Sequence, residues 1–365
     1  MVPAAALAAE LTRRGHRVAL VSDSRGVRFP GLFEGVQTHV LPAGRFQAKK
    51  PLGWLPAMRQ MWAGRAMARE LYRTFRPAAV IGFGGYPAFP ALLAAFADKI
   101  PTAVHEQNAV LGRVNRLVAG RVDAIATSYA DTQRLAPKLK DKTHLIGNPV
   151  RDVVLALRAK PYPLLEEDGI FRVLVTGGSQ GASVLSQVVP DGLAMLPLAF
   201  RSRLQVTHQA RIEDIDAARA QYAQHGIPAE LATYLPDLPE RLAWAHLVIA
   251  RAGASTIAEL TAAGRPAILV PLPSATDDHQ TANAREITGA GGARTIPQDQ
   301  FTAVELAKQM QKLGLDPAAL ENAAARAKSV GRPDAVGDLA DLVESLDAPV
   351  VRLPVGVPVK KAAFA

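Results

Sequence analysis

Short runs of β-branched and aliphatic residues recur along the chain, each followed by a longer alanine-rich segment whose apolar positions fall three and four apart. In the first half the runs are HRVALVS, AAVIGFGG, PTAVHEQN, DAIATS and THLIGNP; in the second they are FRVLVTGG, RLQVTHQ, AHLVIARAG and RPAILVPLP. Near-continuous apolar runs suit strands buried on both faces, and the segments between them suit covering helices. The pattern therefore predicts two α/β domains, each with a doubly wound parallel sheet and a ligand crevice at the carboxyl ends of its strands.

The prolines and acidic residues after Arg158, in KPYPLLEEDG, interrupt both periodicities. The expected division is 1–158, 159–346 and a tail over 347–365 that carries prolines and no period. Residues 1–14 read as a helix, with Pro3 in its first turn and Gly15 as its stop. An α/β domain ordinarily opens on a strand, so the expectation is that the first domain lacks its first strand and the turn after it.

At 365 residues the chain exceeds what one core usually supports, which agrees with two domains. Hydrophobic residues at 49% and charged residues at 21% are a globular balance. The absence of cysteine excludes disulfides and thiolate metal sites, and favours an intracellular protein. No apolar run reaches the ~18 residues of a membrane span, and MVPAAALAAEL lacks the basic leader of a secretory signal. The net charge of +9 is unevenly placed: residues 1–150 hold 21 Lys and Arg against 9 Asp and Glu, the remainder 21 against 24. Such asymmetry suits an anionic partner for the first half, a membrane face or nucleic acid; a generally basic proteome gives the same count.

The stretch GGSQGAS follows a strand and opens a helix, so its backbone can approach a phosphate while Ser179 adds a hydroxyl. A turn needed only for tight strand–helix packing reads alike. Ser179 stands where a dinucleotide fingerprint needs glycine, and the Gly-Lys pair of a P-loop is absent, which disfavours nicotinamide enzymes and P-loop ATPases. In RAGASTIAEL, Ser255 or Thr256 could cap a helix, and Glu259, about one turn in, could accept from a sugar diol or simply complement the helix dipole. PLPSATDDHQTANA sets His279, Gln280 and Asn283 near a helix start, with Asp277 or Asp278 as its cap. VHEQNAVLGRVN would aim Glu106, Gln107 and Asn108 into the cleft between the domains, while His105 reads as a satisfied core histidine. Finally, Trp54, Leu55, Met58 and Trp62 lie among arginines, the last three on one helical face, as an interfacial helix on anionic lipid requires; an amphipathic helix packed on its sheet is the alternative. No nucleic-acid recognition module accompanies the charge.

Taken in order, GGYPAFPALLAA, HEQNAVLGRVNR, GNPVR, GGSQGAS, RAGASTIAEL and DDHQTANA resemble the MurG family over residues 1 to about 346. The resemblance implies a GT-B fold, two Rossmann-like domains flanking a cleft, with UDP-GlcNAc bound by the second domain and lipid I and the cytoplasmic membrane surface met by the first. It implies an inverting transfer of GlcNAc to the C4 hydroxyl of the acceptor's MurNAc, without a cofactor and without a metal held by the protein. Carried onto this chain, the donor contacts are Asn108, Arg151, Ser179, Leu235 through its backbone, Ala254, Ser255, Thr256, Ile257, Ala258, Glu259 on the ribose, and Gln280. The family's first glycine-rich loop, which ends in a histidine proposed as general base, would precede Met1, and no residue here is assigned that role. Two other readings stand beside this one: a different UDP-sugar enzyme on the same fold, and a donor-binding but inactive partner of wall synthesis.

Overall fold

A computed structural model describes residues 1–23, 33, 35–42, 54–166, 168–178, 181–313 and 316–347. Helix α1 (Val2–Arg13) leads into β1 (Ala19–Ser22), which pairs in parallel with β2 (Gln37–Val40). Helix α2 (Trp54–Phe75), β3 (Val80–Gly82) and α3 (Gly85–Asp98) come next. A four-stranded parallel sheet then runs β3-β4-β5-β6, through β4 (Thr102–Glu106), β5 (Ala124–Thr127) and β6 (Thr143–Leu145), with α4 (Arg113–Val118) between β4 and β5.

After α5 (Asp152–Leu155) come β7 (Phe171–Thr176), α6 (Ser183–Ala194), α7 (Leu198–Arg201), β8 (Leu204–Gln209), α8 (Ile215–Gln224) and β9 (Ala229–Ala232). The chain continues through α9 (Leu238–Trp244), β10 (Leu247–Ala250), α10 (Ala254–Ala263), β11 (Ala267–Leu269), α11 (His279–Gly289) and β12 (Ala293–Thr295). Helices α12 (Ala303–Leu313), α13 (Pro317–Ser329) and α14 (Ala335–Asp347) end the described chain.

The second sheet is parallel throughout, in the order β12-β11-β10-β7-β8-β9. Successive side chains of its strands serve opposite cores: Leu247 and Ile249 pack in one cluster, Val248 and Ala250 in the other. Burial on both faces is why these strands read as unbroken apolar runs. The topology winds outward in both directions from β7 and β10, which makes the crevice between their carboxyl ends the switch point where ligands bind in such sheets.

In the first domain, Ala19 to Ser22 and Val80 to Gly82 all border a cavity of about 570 Å³. Neighbouring residues of a strand face opposite ways, so a cavity touching each of them runs along strand edges. Among the described residues β1 pairs only with β2, and β3 only with β4. The two sheets thus meet this cavity with an open edge each.

Three strands escaped the apolar pattern: β2, β9 and β12 are short and partly exposed, and their sequences QTHV, AELA and ART lack a run of buried residues. The expected second domain, 159–346, also does not pack as one body. Helix α14 lies against α1, with Leu339 and Leu342 in the cluster of Leu7 and Leu11, and Arg14 pairs with Asp341 and Glu344. Val154 and Leu157, numbered with the first domain, pack instead with Ala262 and Leu260 of α10. The chain therefore crosses between the domains twice. At the first crossing Gly147 has φ +103°, and a Cβ there would stand 2.7 Å from Cβ of Arg332 and 3.1 Å from that of Ala335, on the second crossing.

Candidate functional site

Two helix starts face the switch point. After β7, Gly177 and Gly178 turn the chain; Gly178 (φ +75°) and Gly181 (φ +66°) take left-handed conformations that favour glycine, and the Gly181 amide closes the turn on the Gly178 carbonyl at 3.0 Å. Helix α6 then begins with no side-chain cap at Ala182. Ser179 lies outside the described residues.

After β10, α10 starts at Ala254 with Gly253 as its N-cap and no side-chain cap bond. Neither Ser255 nor Thr256 caps it, contrary to expectation, because both already lie inside the first turn. The leading N–H groups of α10 stay available and carry the positive end of its dipole. Ile257 turns its side chain into the core, in the same cluster as the buried Leu235. Glu259 is 9% exposed and accepts from Nη2 of Arg151 at 3.3 Å. Burial pushes the Glu259 carboxyl above its ordinary pKa, and Arg151 pulls it back.

Gln280 acts as a splint between two loops: its Oε1 accepts from the Ala252 amide at 3.2 Å and the Leu272 amide at 3.0 Å, which leaves its amide nitrogen to donate elsewhere. His279 is half-buried, and its Nδ1 lies 2.7 Å from the Thr276 carbonyl.

The first domain's loop after β4 behaves otherwise than expected. Glu106 does not aim into the cleft: it is buried, its Oε1 accepts from the Asn108 amide at 3.0 Å, and its Oε2 from Gly112 N at 2.7 Å and Asn115 Nδ2 at 2.9 Å. A carboxylate with this many backbone and amide donors shapes a loop. Gln107 also turns inward, donating from Nε2 to His105 Nδ1 at 2.9 Å, while His105 Nε2 donates to the Gly147 carbonyl at 2.8 Å. With both ring nitrogens engaged and burial holding its pKa down at about 4, His105 is a neutral core histidine. Of these three only Asn108 reaches the second domain, accepting at Oδ1 from Nδ2 of Asn283 at 3.1 Å, beside the Ala109 amide, which donates to Asn283 Oδ1 at 2.8 Å.

Asn108 and Gln280 are thus joined through Asn283 and Ala252, just before α10, while Arg151 pairs separately with Glu259 inside α10. Sequence reasoning passed over Asn148, whose two amide atoms are buried without a partner beside a cavity of about 40 Å³ lined also by Ala254, Ala258 and Arg332. It also passed over Arg116 and Arg134, which both pair with Asp277, one of the two expected caps. Partners 161 and 143 positions apart leave no local signal.

Helix α2 buries Ala57, Gly64 and Ala68 together with Tyr72, and leaves Leu55, Met58, Trp62 and Met67 exposed. Arg65 stacks on the Trp62 ring at 5.1 Å. The helix packs on α3 through Ala68 and Tyr72, while these larger apolar side chains point outward. Trp54 opens the helix.

The N-terminal domain model of glycosyltransferase family 28 matches residues 1–127 and the C-terminal domain model residues 172–339. A UDP-N-acetylglucosamine–N-acetylmuramyl-(pentapeptide) pyrophosphoryl-undecaprenol N-acetylglucosamine transferase of Zymomonas mobilis is 64% identical over 94% of this chain and 89% of its own length. The protein of that name from Novosphingobium aromaticivorans is 64% identical over 95% and 89%. Among solved structures, MurG of Acinetobacter baumannii superposes with a TM-score of 0.76 at 26% identity, over 94% of this chain and 95% of that one. A UDP-GlcNAc 2-epimerase of Neisseria meningitidis shares the fold alone, with a TM-score of 0.64 at 14% identity over 94% and 96%.

Proposed function

The chain belongs to the MurG family of family 28 glycosyltransferases and has its GT-B fold, and from that premise we propose that it transfers GlcNAc from UDP-GlcNAc to the C4 hydroxyl of the MurNAc of lipid I, giving lipid II. The observation that carries this reading is the uncapped start of α10 at the switch point, with Glu259 one turn in and Asn108 held opposite through Asn283.

The second domain takes the donor. Glu259 accepts from the ribose hydroxyls, the Leu235 backbone meets uracil, and Arg151 and the turn around Ser179 support the diphosphate. Asn108 and the free amide of Gln280 hold the sugar. The acceptor hydroxyl attacks the anomeric carbon from the face opposite the leaving UDP, with inversion. Negative charge builds on the departing diphosphate, and the unsatisfied N–H groups of α10 and α6 are fixed in place to meet it, so they stabilise the transition state without reorganising.

The first domain takes lipid I at the membrane surface. Leu55, Met58 and Trp62 enter the interface, and the basic surplus of residues 1–150 binds anionic headgroups on the cytoplasmic face of the inner membrane. No helix among the described residues is long and apolar enough to cross a membrane.

The test is transfer of labelled GlcNAc from UDP-GlcNAc to a lipid I analogue by the folded chain. Formation of the lipid II analogue is the expected outcome. A folded chain that binds UDP yet makes no product would favour the inactive-partner reading, and one that binds no UDP would sink the assignment of the second domain.

A further inference from the structure

Helix α11 belongs to the second sheet by sequence, yet its first turns touch both domains. Just before it, the carboxylate of Asp277 is divided between two guanidinium groups of the first domain: Oδ2 accepts from Nη2 of Arg116 and Oδ1 from Nη1 of Arg134, both at 2.9 Å. Asp277 (φ +58°) and Asp278 (φ +51°) are both left-handed, a conformation unfavourable for residues with a Cβ and rare in succession. The backbone is bent out of its preferred range where the carboxylate meets the arginines. Strain of this kind persists only where surrounding contacts hold it.

The helix that Asp277 introduces carries the side chains that need placing. Asn283, fully buried, accepts the Ala109 amide at Oδ1 (2.8 Å) and donates from Nδ2 to Asn108 Oδ1 and to the Ala252 carbonyl, both at 3.1 Å. One side chain therefore ties the first domain's sugar-side loop to the residue two before α10. Gln280, on the same helix, splints that second loop to the one after β11. The tie between Asn108 and the donor side holds only while α11 sits against the first domain.

We infer that Asp277 is a positioning residue: clasped by Arg116 and Arg134, it docks α11 on the first domain so that Asn283 brings Asn108 to the donor sugar. Its carboxylate is taken up by the two arginines, and it acts through Asn283. The inference rests on the transferase reading for its kinetic part, and on geometry alone for its conformational part.

Two variants separate the carboxylate from the backbone. Asp277→Asn removes the charge at constant shape, whereas Asp277→Gly removes it and also relieves the left-handed strain. Transfer kinetics would be measured beside UDP affinity. The chain has no cysteine, so Lys138→Cys and Gln224→Cys, both exposed and one in each domain, can carry spin labels that report the distance between domains. Both variants are expected to lower kcat about tenfold, to leave the UDP Kd within twofold, and to broaden the distance distribution. Arg116→Gln combined with Asp277→Asn should add little to either single change.

An Asp277→Gly chain with full kcat and a narrow distance distribution would overturn the inference. So would a UDP affinity that falls as far as kcat, which would make Asp277 a part of the donor pocket. Should the unaltered chain make no product while the distances still respond to Asp277, the clasp stands and the transferase reading fails.

Discussion

Glu259 and Arg151 meet at 3.3 Å across the start of α10, the one buried and the other emerging from the crossing between domains. The carboxylate assigned to the ribose is thus already oriented before any nucleotide arrives. Glu259→Ala removes a charged acceptor, worth roughly 1.5–3 kcal/mol to its hydrogen bonds, and should weaken UDP about 10-fold or more in calorimetry. Because burial raises its pKa, this recognition should fade on acidification at a higher pH than for an ordinary glutamate. A Glu259→Ala chain that binds UDP as tightly as the parent would remove the residue from the site.

Gly177 has no room for a side chain: a Cβ would lie 2.4 Å from both Ala182 N and Gly181 C, which are backbone atoms. Gly177→Ala must reshape the turn, with a cost of about 1–3 kcal/mol in stability and at least a tenfold loss in UDP-GlcNAc affinity. Gly289→Ala, with nothing within 4 Å of the new methyl, should be neutral or stabilising in the same assays. Equal behaviour of the two variants would contradict the crowding argument.

Leu55 and Trp62 are 76% and 58% exposed, so Leu55→Glu with Trp62→Glu should leave the melting temperature nearly unchanged. Co-sedimentation with vesicles rich in anionic lipid should drop about tenfold, and binding by the parent should weaken with salt as screening shortens the reach of its basic residues. Unaltered vesicle binding by the double variant would take α2 off the membrane.

Burial lowers the pKa of His105 and of His208 from 6.5 to about 4. Between those values the unfolded chain binds protons that the folded chain refuses, so their contribution to stability is complete above pH 6.5. It is lost as pH falls toward 4, with a slope approaching about 1.4 kcal/mol per pH unit for each histidine. Urea denaturation at several pH values should show this slope reduced by one proton in His208→Gln. An unchanged slope would mean that His208 is not held neutral.

The sequence made the second domain legible in some detail because its sheet is covered on both sides. Val173, Val175, Ile249 and Ile268 had to be apolar wherever they pointed, and the glycines after β7 had to be glycine. Edge strands such as β2 and β12 left no such trace. The helix starts that carry the proposed site residues were legible too, since a helix start after a strand marks a local place. Their pairing did not: Glu106 looks the same in sequence whether it faces a ligand or binds its own loop, and only the approach of Gly112 and Asn115 decides it. Asp277 read as a helix cap for a similar reason, its two partners being supplied by a different domain.

Gly147 packs directly on Arg332 and Ala335, so the two connections between the domains pass one another at a single point. Two bodies whose connections touch at one point cannot slide past each other there, but can rotate about it. Displacement grows with distance from such a pivot, so a rotation of a few degrees at Gly147 amounts to ångströms at the lips of the cleft. A bulkier side chain at position 147 would press the two connections apart and shift the domains from that pivot outward.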